Sequence, residues 1–174
     1  MMKQKFEKKL KELSYSYQCT STNLYQLVLP NNDTLILQFV MSEAVNIKWH
    51  GSHNGNETQA IAYFILNYLL DNDKPDFYVF AFDNETLNRP EFVVIQANEL
   101  RRRIYKRSYI SLKNKDIDLV LWLMPDSCLY EATHISIEGE WFFISKGLGG
   151  RMADNTDMDF TKFLNNWNSL IMNC

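Results

Sequence analysis

Chemistry in this chain is most plainly suggested by an aspartate at 33 and a polar triplet at 46, 48 and 50. In the run Ala44 to Trp49, extended backbone puts Val45, Ile47 and Trp49 on one side and Asn46, Lys48 and His50 on the other. The apolar side belongs to a core. The polar side is either solvated or a site. Asp33 opens the preceding β-rich run, and pairing of two such strands brings a residue at that place toward Lys48. A carboxylate and a lysine so placed have a use in hydrolysing phosphodiesters. A divalent metal neutralises charge and lowers the pKa of a water, carboxylates on neighbouring strands hold it, and the lysine steadies developing charge. The plainer reading makes Asp33 the last residue of a Pro-Asn-Asn-Asp turn and leaves Asn46 and Lys48 in solvent.

The elements that must position these residues are legible as patterns. Phe6, Leu10 and Leu13 recur at helical spacing among five lysines and two glutamates, which predicts an amphipathic helix over 2–14. Ser14 to Asn23 has no clear period and reads as a loop or a ragged strand. Leu24–Leu29, Thr34–Val40 and Ala44–Trp49 predict a three-strand meander, with turn residues at Pro30-Asn31-Asn32-Asp33. His50 to Asn56 is a Gly- and Asn-rich loop. Glu57 to Leu70 predicts a helix whose stripe is Ile61, Phe64, Ile65, Tyr68 and Leu69. Phe77–Phe82 reads as a strand covered on both faces, and Glu91–Gln96 as the next strand. Asn98 caps a short helix through Arg107. Leu119–Met124, Trp141–Ser145 and, more weakly, Thr133–Ile137 predict strands. A last helix starts at Asp157 or Asp159, with Phe160, Phe163, Leu164, Trp167, Leu170 and Ile171 on its stripe. The fold class is therefore α/β, an α+β mixed sheet flanked by helices, in a single domain over 1–174.

Composition narrows the function classes. With 174 residues, 46% hydrophobic and 14% aromatic, the chain buries a core without staples and is not disordered. No apolar run approaches a membrane span of roughly 20 residues, and the charged N-terminus lacks the apolar stretch of a signal peptide. Three scattered cysteines suggest neither a disulfide framework nor a zinc ribbon, so a reducing cytoplasm is the expected compartment. A net charge of −3 argues against a generic polyanion binder while allowing a local basic patch.

The order of helix, meander with Asp33-Thr34-Leu35 and Asn46-Ile47-Lys48, then Asp76–Phe82 and Pro90–Ile95, resembles the PD-(D/E)xK, or restriction-endonuclease-like, superfamily over residues 2–107. Residues 108–174 lie outside that resemblance as C-terminal strands and a helix. The family carries an aspartate on the second strand of its meander and an acidic-x-lysine on the third. The resemblance implies a nucleic-acid-binding protein and a Mg²⁺- or Mn²⁺-dependent nuclease. Asp33 would hold the metal, Asn46 offer a carbonyl or position a water, and Lys48 stabilise charge. Asn46 stands where the family has its second acid, which gives up one negative charge at the metal. The same resemblance therefore also implies a catalytically inactive domain serving as a protein- or nucleic-acid-binding module. Gln59 and Tyr63, four apart on the expected helix, look like the Gln-x-x-x-Tyr element of RecB-type nucleases, where both approach nucleic acid. The partners implied are DNA or RNA, and no membrane; a homodimer is left open.

Other polar clusters have competing readings. Arg101, Arg102, Arg103, Lys106 and Arg107, with Tyr105 and Tyr109 interleaved, either follow a phosphate backbone or form a charged helix flank. His50 and His53 have no cysteine and only Glu57 nearby, too few ligands for zinc. They contact a phosphate or form a surface turn. Glu7 and Glu12 lie on the first helix, from which the resemblance implies that a carboxylate can be recruited to the metal; the neighbouring lysines favour a solvated helix face. Pro75-Asp76 and Pro125-Asp126 lack the acidic-x-lysine strand that would make them motifs, and Lys146 to Gly150 is not a P-loop.

Overall fold

Phe6 and Leu10 lie one helical turn apart and are both fully buried, so the first helix is held by a narrow apolar stripe. This helix is α1, Met2–Glu12. The computed structural model describes residues 1–29, 31–42, 60–66, 74–84, 86–105, 118–124, 126–134, 141–143 and 156–171. After α1 come β1 (Ser16–Ser21), β2 (Leu24–Val28) and β3 (Thr34–Met41), an antiparallel meander. β4 (Ala60–Ile65) leaves this sheet. β5 (Phe77–Asn84) returns to it and pairs parallel with β3, and β6 (Arg89–Gln96) pairs antiparallel with β5. The sheet order is β1-β2-β3-β5-β6. α2 (Ala97–Tyr105) follows directly. β7 (Asp118–Leu123), β8 (Leu129–His134) and β9 (Trp141–Phe143) join β4 in an antiparallel sheet of order β4-β7-β8-β9. Three short 3₁₀ helices, Thr156–Met158, Thr161–Phe163 and Trp167–Leu170, complete the described chain.

β5 is the structural centre, as its apolar run predicts: every residue from Phe77 to Phe82 is buried. Alternation divides them between two cores. Phe77, Val79 and Ala81 meet Phe6 and Leu10 of α1, together with Trp167 and Leu170. Phe6 stacks on Phe39 at 4.5 Å and meets Tyr25 edge-on at 5.0 Å. Tyr78, Phe80 and Phe82 meet Ala62, Phe64 and Leu66 from β4 and its end, and Leu119, Leu121 and Leu123 of β7, with Leu100 and Ile104 of α2 alongside. The protein is thus mixed α+β, with α1 on one face of a mixed sheet and, on the other, a second sheet as well as α2. Each fully buried aromatic contributes about 1.5–3 kcal/mol relative to exposure. Among the described residues no helix is long and apolar enough to cross a membrane.

Three expectations change. First, the Ser14–Asn23 stretch, read as a loop or a ragged strand, contains β1, with a register shift between Cys19 and Ser21, so a strand precedes the two expected at 24–29 and 34–40; the strand expected over 44–49 lies outside the described residues. Second, the described part of the expected helix over 57–70 is strand β4. A short apolar run satisfies both periods, and here six consecutive pairs with β7 decide it. Ala62, Phe64 and Leu66 point inward while Ile65 is exposed. Third, the last helix is 3₁₀ rather than α. Asn165 sits at φ 51°, and the strand-like bridge of Leu164 to Val93 replaces helical bonding. The inward residues accordingly come in pairs three apart, Phe160 with Phe163 and Trp167 with Leu170.

Candidate functional site

Asp33 is a turn residue. Asn31 Nδ2 donates to Asp33 Oδ2 at 2.7 Å, and the Asp33 N–H donates back to Asn31 Oδ1 at 3.0 Å. Asn32 takes the left-handed conformation at φ 66°, and the Leu29 N–H reaches the Asp33 carbonyl at 2.8 Å. Asp33 thus precedes the third strand of the meander, not the second. The strand expected over 44–49, which would carry Lys48 toward Asp33, lies outside the described residues. One edge of β3 is filled by β2 and the Phe39 N–H bond to Asn23, the other by β5 and Asp76. Asp76 accepts the Ile36 N–H at 2.7 Å and pins the start of the parallel pairing, a structural duty consistent with its exclusion as a motif. Asn46, Lys48, His50, Gln59 and Lys106 lie outside the described residues. A divalent cation asks for several oxygen ligands. Among the described residues no three of His, Cys, Asp and Glu converge, so Asp33 does not by itself form a seat.

Tyr63 lies on β4, opposite Val120, rather than on a helix with Gln59. Its neighbours Ala62 and Phe64 point into the core, so Tyr63 lies on the other side of the strand, half-buried. Its backbone is held by Ser42: the Tyr63 N–H donates to Ser42 Oγ at 3.0 Å, and that hydroxyl donates to the Tyr63 carbonyl at 3.3 Å. Ser42 also donates its N–H to Ala81 at 2.9 Å, so one serine ties the two sheets together.

The arginines of α2 are engaged within the protein. Arg102 forks onto Glu99, at 2.7 and 2.9 Å, and reaches Asp157 at 2.7 Å. Arg103 is 3% exposed; its Nε donates to Glu99 at 2.8 Å and its Nη1 to the carbonyls of Asp157 and Asp159. Its guanidinium lies 5.0 and 4.8 Å from the ring centres of Phe160 and Phe163. Arg101 donates to Asn98 at 3.3 Å. The hydrogen bond from Arg102 holds Glu99 well below its ordinary range, at about 2, with Arg103 reinforcing the shift against the opposing effect of burial. The pairs anchor the C-terminal segment to α2. The spacings Glu99 to Arg102 and to Arg103, three and four residues, were readable as helix pairs in the sequence.

A second anchor had no local signal. Glu91 is 1% exposed and accepts from Arg89 at 2.8 Å, Asn84 at 3.3 Å and Asn165. Asn165 also brackets Phe92, donating its N–H to the Phe92 carbonyl and accepting the Phe92 N–H at 3.1 Å. The otherwise open edge of β6 is thereby covered.

Between these anchors lies a cleft of about 510 Å³. Phe77, Val94 and Phe163 lie along its floor, nearly closed to solvent, and its polar rim includes Arg102, Lys162 and Asn166. Lys162 is exposed, with Nζ 4.9 Å from the Phe163 ring centre. Sequence reading passed over Lys162 and Asn166 because each looks like ordinary helix surface.

The other polar surface of note is α1. Glu7 accepts the buried Tyr25 hydroxyl at 2.9 Å; burial first, and Glu7 next, push that phenol up. Lys5 pairs with Asp83 at 2.7 Å, anchoring the helix to β5. Lys8 and Lys9 make only long contacts with Glu12, 3.8 Å each, and Lys11 has no ion partner among the described residues. No family model, curated protein or solved structure matches this chain.

Proposed function

We propose that this chain is a nucleic-acid-binding domain with a restriction-endonuclease-like core, and that α1 supplies its phosphate contacts. The observation that carries the reading is the outward face of α1. Its five lysines outnumber its two glutamates in a chain whose net charge is −3, and Lys8 is 77% exposed at its side chain. Lysines held this loosely are available to displace counterions from a phosphate backbone, whereas Arg102 and Arg103 of α2 are already matched by carboxylates. The core assignment draws support from the element order: a helix, an antiparallel meander, then β5 parallel to β3 with β6 antiparallel beside it.

The proposal stops at binding. Asp33 is held by Asn31, and among the described residues no three of His, Cys, Asp and Glu converge as a Mg²⁺ or Mn²⁺ seat would ask. The test is a titration with short single- and double-stranded DNA and RNA at low salt, with a parallel incubation in Mn²⁺. Binding that weakens steeply with salt, with substrates left intact, is the expected result. Absence of binding to any of these at low salt removes the reading. Cleavage that disappears in Lys48→Ala restores the nuclease.

A further inference from the structure

The cleft beside α2 has a definite charge and shape. Each cation around it is matched except one. Arg102 has Glu99 and Asp157; Arg103 has Glu99 and two carbonyls. Lys162 has no carboxylate within ion-pairing distance among the described residues, and its ammonium rests against Phe163 instead. The Glu99 carboxylate on the rim cannot serve a cationic ligand, because Oε1 already takes Arg102 and Arg103 and Oε2 takes Arg102. Among the described residues, the one unmatched charge on the rim is therefore positive. Asn166 spends its amide N–H on the Lys162 carbonyl at 2.9 Å, which leaves Oδ1 as an acceptor. Beneath these polar groups the cleft closes on the cores: Phe77 and Val94 are buried against the α1 core, and Phe163, of the core on the opposite face, keeps an edge open. About 510 Å³ is the size of a small-molecule site, and such sites combine an apolar lining with a few polar groups that fix orientation.

We propose that this cleft binds a small amphipathic anion: an apolar ring or chain bearing one carboxylate or phosphate, which pairs with Lys162 Nζ, and one N–H or O–H donor, which meets Asn166 Oδ1. The apolar body lies against the open edge of Phe163 and the aliphatic stems of Arg102 and Lys162. The site is separate from the lysines of α1 and does not depend on nucleic-acid binding there. A nucleoside monophosphate and an aromatic carboxylate share this chemistry, and the probes distinguish them.

The experiment is an amide-shift titration of the full ¹⁵N-labelled chain with adenosine monophosphate, salicylate, adenosine and inorganic phosphate. The expected result is that adenosine monophosphate or salicylate shifts the amides of Lys162, Asn166 and Glu99 in a saturable way. Whichever binds tighter identifies the source. Adenosine, lacking the charge, and phosphate, lacking the apolar body, bind at least about tenfold more weakly, the factor set by one charge-assisted contact. Lys162→Met, which keeps the apolar stem at an exposed position and removes the charge, weakens binding by a similar factor of about ten while leaving the melting temperature unchanged. Asn166→Asp, which places a negative charge beside Lys162, weakens it as well. The proposal is overturned if neither amphipathic probe moves these amides at about 10 mM, a concentration that registers even millimolar affinity. It is equally overturned if Lys162→Met binds as the wild type does, or if adenosine or phosphate binds as tightly as the amphipathic probes.

Discussion

The two α-helices among the described residues are both basic, and they use their charge in opposite ways. α2 carries three consecutive arginines, and two of them are engaged within the fold: Arg103 is buried against Phe160 and Phe163, and the exposed Arg102 forks onto Glu99 and Asp157. α1 carries five lysines and commits one of them, Lys5, to a close ion pair, with Asp83. The planar guanidinium serves several acceptors at once and is weakly hydrated, so arginine suits an internal clasp. The ammonium is a strongly hydrated point charge on a flexible stem, so lysine suits an outward face. Density of basic residues along the sequence therefore does not by itself tell which cations the fold leaves available. What matters is which cations remain unmatched after folding.

The comparison breaks most visibly in stability. Arg103→Ala leaves Glu99 without one partner and uncovers the Asp157 and Asp159 carbonyls. Loss of about 3–5 kcal/mol is expected in chemical denaturation, as for a broken buried pair. Lys11→Ala on α1 shifts stability by no more than about 0.5 kcal/mol in the same measurement. Equal effects would erase the distinction between clasp and face.

Binding inverts the ranking. Reversing two lysines together, Lys8→Glu with Lys11→Glu, is expected to weaken DNA binding by at least about tenfold at low salt and to flatten the salt dependence by roughly one unit of slope per lysine. An electrophoretic or anisotropy titration reads both. The effect of pH is smaller and has a definite sign. Glu99 is held at about 2 against an ordinary value of 4.5, so its stabilising effect is fully present above about 4.5 and is lost as pH falls toward 2. Glu99→Gln is less stable at neutral pH and shows a shallower loss over that window in melting curves. A wild type and variant that lose stability in parallel would mean the carboxylate is not clamped by the arginines.

How much of this was legible depended on whether a pattern had one reading. The stripe of Phe6 and Leu10, the unbroken apolar run of β5 and its neighbour β6 each admit a single period, and each element stands near its expected bounds. Ala60 to Ile65 admits two, and only its pairing with β7, about sixty residues along the chain, made it a strand. The C-terminal stripe suited an α-helix until Asn165 bound Glu91, 74 residues away, a contact no local window contains. Of the candidate site, Asp33 resolved to the turn that its Pro-Asn-Asn-Asp context suggested. Tyr63 lost its helical partner to the strand, and Arg102 its free charge to Asp157 across the fold. The features that became interesting, Lys162 above Phe163 and the open face of α1, depend on what the folded chain leaves unpaired, and a sequence does not display that.

The measurement that bears most directly on this account compares DNA affinity across a salt series for the wild type, the Lys8→Glu/Lys11→Glu variant and Arg102→Gln. The account predicts a flattened slope and weakened binding in the α1 variant alone, with Arg102→Gln matching the wild type. A loss of slope in Arg102→Gln with the α1 variant unchanged would contradict it.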